Sequence, residues 1–99
     1  MVSADRWPFV EPRNIVTFVT AQVLDRVEPI LRAVHEEDGE WQFIGASGGT
    51  LENAKIIALS EAVDLDPSIL QLADLPLGWQ AVRDSPEQSW KREVLDDAT

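Results

Sequence analysis

The residues of this sequence whose types and spacing could do chemistry are one histidine and four carboxylates beside it. His35 is the only histidine, and Glu36, Glu37, Asp38 and Glu40 follow it closely. An imidazole oriented by a carboxylate can transfer protons near neutral pH. Nucleophilic catalysis would also need a serine in reach. Residues 45–49 match the letters of Gly-x-Ser-x-Gly, but a glycine-rich linker with no long helix after it is not the strand–turn–helix elbow that presents a nucleophile. We therefore interpret His35 as a structural residue bonded across a hairpin, and we expect no enzyme.

The same carboxylates are a poor pattern for a metal site. A calcium loop alternates its oxygen ligands around a glycine and ends on a distal bidentate glutamate, whereas residues 36–40 form a tight acidic turn. The chain has no cysteine, which removes thiolate ligands, disulfides and thiol catalysis. Residues 45–50 are rich in glycine but lack the Gly-Lys-Ser/Thr ending of a phosphate-binding loop, and we interpret them as a linker. The sequence predicts no metal and no cofactor.

Four tryptophans are a heavy indole load for 99 residues. Tryptophan is enriched at binding hot spots. Trp41 and Trp79 lie in apolar segments and are predicted to pack in the core, whereas Trp7 and Trp90 lie in an N-terminal arm and an edge strand. The predicted partner-binding residues are Glu36, Glu37, Asp38, Glu40, Trp7 and Trp90.

The charge of the chain restricts its partners. The formal net charge is −10 and the isoelectric point is near 4.3. Such a surface repels the phosphates of nucleic acids and anionic membranes, and Lys91-Arg92 is the only adjacent basic pair. The sequence predicts neither kind of partner. A basic protein is the electrostatically favoured partner, although the same charge also serves solubility.

The composition indicates one soluble domain. Apolar residues make up 44% of the chain, which is enough for a core at this length. No segment approaches the roughly 18 apolar residues of a membrane span, and the first residues lack the pattern of a signal peptide. We expect a cytoplasmic protein with an extended arm at 1–13, a single domain at 14–94 and an acidic tail at 95–99.

The predicted fold is an α+β domain in which an antiparallel sheet is packed by two short helices. One helix is predicted at 21–27, before Pro29 breaks the helical spacing, with a single turn at 60–63. A further helix begins at Pro67, with Asp66 as its N-cap. The predicted strands are 14–20, 30–37, 40–45, 55–59, 79–84 and 89–93.

The centre of this predicted sheet is a hairpin closed by Asp38 and Gly39. Asp-Gly between two strand-forming runs is a strong hairpin signal, because both positions of a two-residue turn need positive φ. Such a turn places Val34 opposite Phe43. The faces predicted from this register are Val34, Trp41 and Phe43 on one side and Ala33, His35 and Ile44 on the other.

Three segments carry a resemblance to a known family: HEEDGEWQF at 35–43, DPS at 66–68 and LPLGW at 75–79. They resemble a family of small, acidic, functionally uncharacterised bacterial proteins with a D-G-x-W-x-F hairpin. These are similar to immunity-protein-like domains of bacterial toxin systems. The resemblance covers 30–93 and implies an α+β domain without an established enzymatic role, some members being proposed to neutralise a toxin. It transfers no catalytic residue.

Together these observations predict a non-enzymatic, immunity-like protein-binding module whose acidic surface meets a basic partner. The alternative is a domain that binds a small molecule or carbohydrate through exposed tryptophans and carboxylates. An enzyme that pairs His35 with a carboxylate is the least favoured hypothesis.

Overall fold

The structure is a computed structural model that describes residues 7–95; residues 1–6 of the predicted arm and 96–99 of the predicted tail lie outside it. The described chain forms one sheet and a few short helical segments. The strands are β1 (Val16–Thr20), β2 (Arg32–His35), β3 (Trp41–Ile44), β4 (Ala54–Ala58), β5 (Trp79–Val82) and β6 (Lys91–Val94). The helical segments are α1 (Ala21–Leu24), α2 (Leu59–Leu65) and two 3-10 helices, Leu51–Asn53 and Pro67–Leu72.

The sheet is mixed, with the strand order β4-β1-β3-β2-β5-β6. The α+β class is therefore confirmed, and the antiparallel prediction is right for every pair except one, since β1 and β3 run parallel. After β1 the chain passes through α1 and forms β2 two strand positions away from β1. It then turns back, and β3 fills the position between β1 and β2, parallel to β1. Strands β3 and β2 are consequently the two central strands.

The predicted two-residue Asp38-Gly39 turn is not confirmed. Glu36 pairs with Glu40: its N–H donates to the Glu40 carbonyl at 2.8 Å, and its carbonyl accepts from Gly39 N at 2.9 Å. Three residues, 37–39, therefore form the loop, and only Gly39 has positive φ, at 97°. A three-residue loop with glycine in its last position is a common alternative for the same Asp-Gly sequence.

This longer loop moves the register by one residue and exchanges the predicted faces. His35 lies opposite Trp41, and Val34 lies opposite Gln42. Because side chains alternate along a strand, a shift of one residue turns every side chain of one strand to the other face. The prediction that Val34 shares a face with Trp41 and Phe43 is therefore wrong.

The hydrophobic core lies on one face of the sheet, which we call the closed face. α2, the second 3-10 helix and the N-terminal segment cover it. Its buried strand residues are Val19, Ala33, Trp41, Phe43, Ile57 and Ala81, packed by Phe9, Leu59, Ala62, Ile69, Leu72 and Leu75. The opposite, open face carries Phe18, Val34, Gln42 and Ile44. Among the described residues, none of the helices has the length and apolar character of a membrane span.

Helical segments are present at all three predicted places, with corrections. The predicted single turn at 60–63 lies within the longer α2. Asp66 caps the helix that begins at Pro67, since its Oδ1 accepts from Ser68 N at 3.0 Å, but this helix is 3-10. Thr20 precedes α1 without capping it, because its hydroxyl accepts from Gly45 N at 3.2 Å instead.

α1 ends at Leu24 rather than at residue 27, because Arg26 adopts a left-handed conformation. Its φ is 64°. Arg26 N donates to the Val23 carbonyl and Val27 N to the Gln22 carbonyl, both at 2.9 Å. This pair of bonds is the Schellman ending of a helix, in which the left-handed position usually holds glycine.

Candidate functional site

The open face of the sheet holds a groove of about 670 Å³, whose floor runs over β1, β3 and β2. The pairing of Phe18 with Gln42 and of Gln42 with Val34 places these three side chains in one row across the floor. Ile44 lies in the next row. Val34 is buried, while Phe18, Gln42 and Ile44 are partly exposed. The groove is therefore an apolar surface with one amide at its centre.

Two carboxylates form one end of this groove. Glu36 and Glu40 lie directly opposite each other where the hairpin loop begins, and both line the groove. The Gln42 amide donates from Nε2 to Glu36 Oε2 at 2.7 Å, so Glu36 is directed over the floor. Side chains that lie directly opposite on one face are roughly 5 Å apart at Cβ, and like charges there destabilise the pair.

The other end of the groove carries one basic residue, Arg32, beside Gly49 and Thr50 of the loop 45–50. Arg32 lies opposite Ile44 and lines the groove. Its Nε donates to Gln80 Oε1 at 2.8 Å, and Gln80 Nε2 donates to Glu93 Oε2 at 2.7 Å. This ladder fixes the Nε edge of the Arg32 guanidinium, and the residue as a whole stays exposed. The groove thus has two carboxylates at the hairpin end and one guanidinium at the other.

The structure brings together only part of the predicted partner-binding set. Glu36 and Glu40 meet in the groove. Asp38 belongs to the loop, where its Oδ1 accepts from Glu40 N at 3.1 Å. Glu37 is exposed and its side chain lies against Gly78, outside the groove lining.

The two predicted tryptophans lie elsewhere. Trp7 is half-buried, donates from Nε1 to the Glu11 carbonyl at 2.7 Å, and has the Arg13 guanidinium 4.7 Å from its ring. Trp90 is half-buried, with the Arg83 guanidinium 4.0 Å from its ring. Neither tryptophan lines the groove, so the groove does not combine an indole with the hairpin carboxylates.

His35 is buried on the closed face, and its hydrogen bond does not cross the hairpin as predicted. Its Nδ1 lies 2.7 Å from the Leu75 carbonyl oxygen, and its ring stacks on Trp41 with centroids 4.0 Å apart. Nε2 lies 3.2 Å from Glu11 Oε2, an oxygen that also accepts from Trp41 Nε1 at 3.2 Å. This cluster lies on the face of the sheet opposite the groove. Its contacts are those of side chains packed in the core.

The sequence analysis missed a second buried polar cluster around Arg83. Its guanidinium donates to the Ile30 carbonyl from Nε at 3.1 Å and from Nη2 at 2.9 Å, to Asp66 Oδ2 at 2.7 Å and to Ser68 Oγ at 3.1 Å. These bonds join β5, the loop before β2 and the N-cap of the second 3-10 helix. A lone arginine at a strand end gives no sequence signal for such a role.

Residues 45–48 form a turn that Glu28 closes. Ser47 N donates to Glu28 Oε1 at 3.1 Å, and the Ser47 hydroxyl donates to Oε2 of the same carboxylate. An anionic side chain therefore occupies the donors that a phosphate would need. Across residues 7–95, no group of three or more histidine, aspartate or glutamate side chains is arranged to hold a metal ion.

The clearest electrostatic effect is found at Asp74. The hydrogen bond and charge of Arg92, whose Nη2 lies 2.8 Å from Asp74 Oδ1, hold the pKa of this carboxyl below its ordinary value. The pair is exposed and lies outside the groove.

Comparison of the chain with protein-family models, with curated proteins and with solved structures gave no match.

Proposed function

We propose that the protein is a non-enzymatic, immunity-like binding module and that its open sheet face binds a basic partner protein. The observation that carries this proposal is the groove itself, in which Glu36 and Glu40 face each other beside an apolar floor. A lysine or arginine between the two carboxylates would remove their repulsion and form charge-assisted hydrogen bonds.

The apolar floor supplies a second source of affinity. Phe18 and Ile44 are partly exposed here although each has a large apolar side chain. Covering apolar surface contributes about 25 cal/mol per Å², and an aromatic side chain surrounded by polar groups is typical of binding hot spots. A partner that offers both a cation and an apolar side chain would use the floor and the carboxylates together.

The net charge of the chain supports the same partner. At −10, the protein attracts a basic surface over a distance of about a Debye length and raises the rate of encounter. The resemblance to immunity-like proteins is consistent with a partner of this kind. The geometry of the groove, however, carries the proposal independently of that resemblance.

The test is capture of partners from the native lysate at low salt, followed by elution with a salt gradient and mass spectrometry. The wild-type protein is compared with Glu36→Lys/Glu40→Lys and with a matched control, Asp64→Lys/Glu87→Lys, whose exposed residues lie outside the groove. We expect a stoichiometric basic protein on the wild type and on the control but not on the groove variant.

Thermal unfolding keeps this comparison interpretable. The single variant Glu40→Lys replaces a repulsive cross-strand pair by an attractive one, so it should unfold at a temperature equal to or above that of the wild type while it loses the partner. A partner retained equally by both double variants, or binding that does not change with salt, would overturn the proposal.

A further inference from the structure

We infer that the partner contributes an amphipathic helix that lies along β3 in the groove, with its N-terminal end over Glu36 and Glu40. This inference rests on the proposed function, since it names the structural class of the segment that binds. It is carried by the dimensions of the groove, by the charges at its two ends and by the placement of the sheet edges.

The dimensions of the floor match those of one helix. The floor extends from β1 across β3 to β2, which are spaced at about 4.8 Å, so it is roughly 10 Å wide. This equals the diameter of an α-helix with its side chains. From Arg32 to Glu36 the chain advances four residues, or about 13 Å, which corresponds to roughly nine helical residues at 1.5 Å each.

A helix is also what the uncovered face of such a sheet would normally receive. The closed face is packed by helical segments, whereas on the open face the loop 45–50 lies beside Ile44 and none of the groove-lining residues in the described chain belongs to a helix. An apolar sheet face is buried against another layer in most domains, and a helix supplies that layer through one apolar stripe.

The charges at the ends of the groove give the helix a direction. A helix carries about half a positive charge at its N-terminus and half a negative charge at its C-terminus. Glu36 and Glu40 lie at one end of the groove and Arg32 at the other. The favourable orientation therefore places the N-terminus at the carboxylates, where a lysine or arginine of the partner adds a full charge.

Other occupants fit this surface less well. An added strand would pair at β4 or β6, the edges of the sheet, and would leave the groove uncovered, because β3 and β2 already have neighbours on both sides. A second copy of this chain would bring Glu36 and Glu40 towards the same carboxylates and oppose two net charges of −10.

The experiment uses a synthetic peptide of about 14 residues, long enough for one helix yet marginally helical in water. It consists of alanine with leucine at i, i+3, i+4 and i+7 and lysine beside the leucines. One control peptide has two central prolines, which abolish the helix at equal charge. Affinity is measured by calorimetry, and helix formation by circular dichroism.

Binding of the lysine peptide with a gain of helix, at least about tenfold tighter than the proline peptide, would support the inference. Phe18→Asp and Glu36→Lys/Glu40→Lys should each weaken it at least about tenfold. Val94→Asp, at an exposed apolar residue of the closed-face row of β6, and Asp64→Lys/Glu87→Lys should not. Hydrogen exchange on the wild-type protein, with and without the lysine peptide, shows which amides the peptide protects and needs no variant.

The direction is tested with a spin label on either end of the peptide. A label on the N-terminal end should broaden the amide signals of Glu36 and Glu40, and a label on the C-terminal end those of Arg32 and Ile44. The reverse pattern would overturn the assigned direction.

The following results would overturn the helix inference. The first is equal affinity for both peptides, or no binding of the lysine peptide. The second is protection from hydrogen exchange that the peptide confers only on the amides of β4 or β6. The third is a dimer of the wild-type protein that Phe18→Asp dissociates. Capture of a basic protein from the lysate that still depends on Glu36 and Glu40 would then leave the proposed function standing. Loss of that dependence as well would remove both.

Discussion

Glu11 Oε2 lies 3.2 Å from Nε2 of His35, and this contact joins the N-terminal segment to a central strand of the sheet. The Leu75 carbonyl beside Nδ1 can only accept, so Nδ1 donates the proton there. The Nε2 contact is close but lacks the alignment of a hydrogen bond. Trp41 Nε1, by contrast, donates to the same glutamate oxygen. The Glu11 carboxylate therefore lies against two buried side chains and accepts a hydrogen bond from one of them.

Replacing this carboxylate should weaken the fold. Glu11→Ala leaves the buried Trp41 Nε1 without its acceptor, so we expect the free energy of unfolding to fall by about 1–3 kcal/mol. Urea denaturation followed by tryptophan fluorescence measures this change. The exposed substitution Glu87→Ala should stay within about 0.5 kcal/mol of the wild type. Equal stability of the two variants would show that Glu11 contributes nothing.

Gly39 tests the hairpin loop. A valine there should destabilise the protein by about 1–3 kcal/mol, because its φ is 97° and a β-branched residue is strained at positive φ. No atom lies within 4 Å of the position of an added Cβ, so the cost comes from the backbone and not from a clash. Asn, which tolerates this region better, should cost less than valine. A melting temperature unchanged by Gly39→Val would contradict the assigned loop.

Arg26 offers the opposite test, a substitution that stabilises. Because Arg26 holds the left-handed position of a helix ending, Arg26→Gly should raise the free energy of unfolding by about 0.5–1 kcal/mol. The control is Asp25→Gly, because Asp25 directly precedes Arg26 and has a negative φ. Arg13→Gly would not serve, because the Arg13 guanidinium contacts the Trp7 ring. Asp25→Gly should not stabilise. A loss of stability in Arg26→Gly would indicate that the arginine side chain makes a contact worth more than the backbone strain.

Asp74 gives a prediction about pH. Arg92 holds the pKa of Asp74 below its ordinary value, so the carboxylate adds stability that is present above the ordinary aspartate range. This contribution is lost as the pH falls through the lowered pKa in the folded state, and it is small because the pair is exposed. An NMR titration should show the pKa of Asp74 rising in Arg92→Gln and staying low in Lys91→Gln. Equal values in both variants would contradict the pairing.

Much of the local structure could be predicted from the sequence, because it depends on neighbouring residues. Strand segments followed from β-branched and apolar runs, and the helix start at Asp66-Pro67 followed from capping chemistry. The acidic end of the hairpin was also recognisable, and two of its four carboxylates do line the groove. These inferences need only the preferences of the backbone within a few residues.

The sequence by itself determined the α+β class, the approximate elements and the excess of negative charge. Only the tertiary structure decided the faces of the sheet, because one additional loop residue reversed which side chains lie beside Trp41. It also decided the parallel pairing of β1 with β3, and the partners of Glu11 and Arg83, which lie far from them in sequence. Contacts between distant residues depend on how the whole chain packs, and no local pattern encodes which face of a sheet remains open.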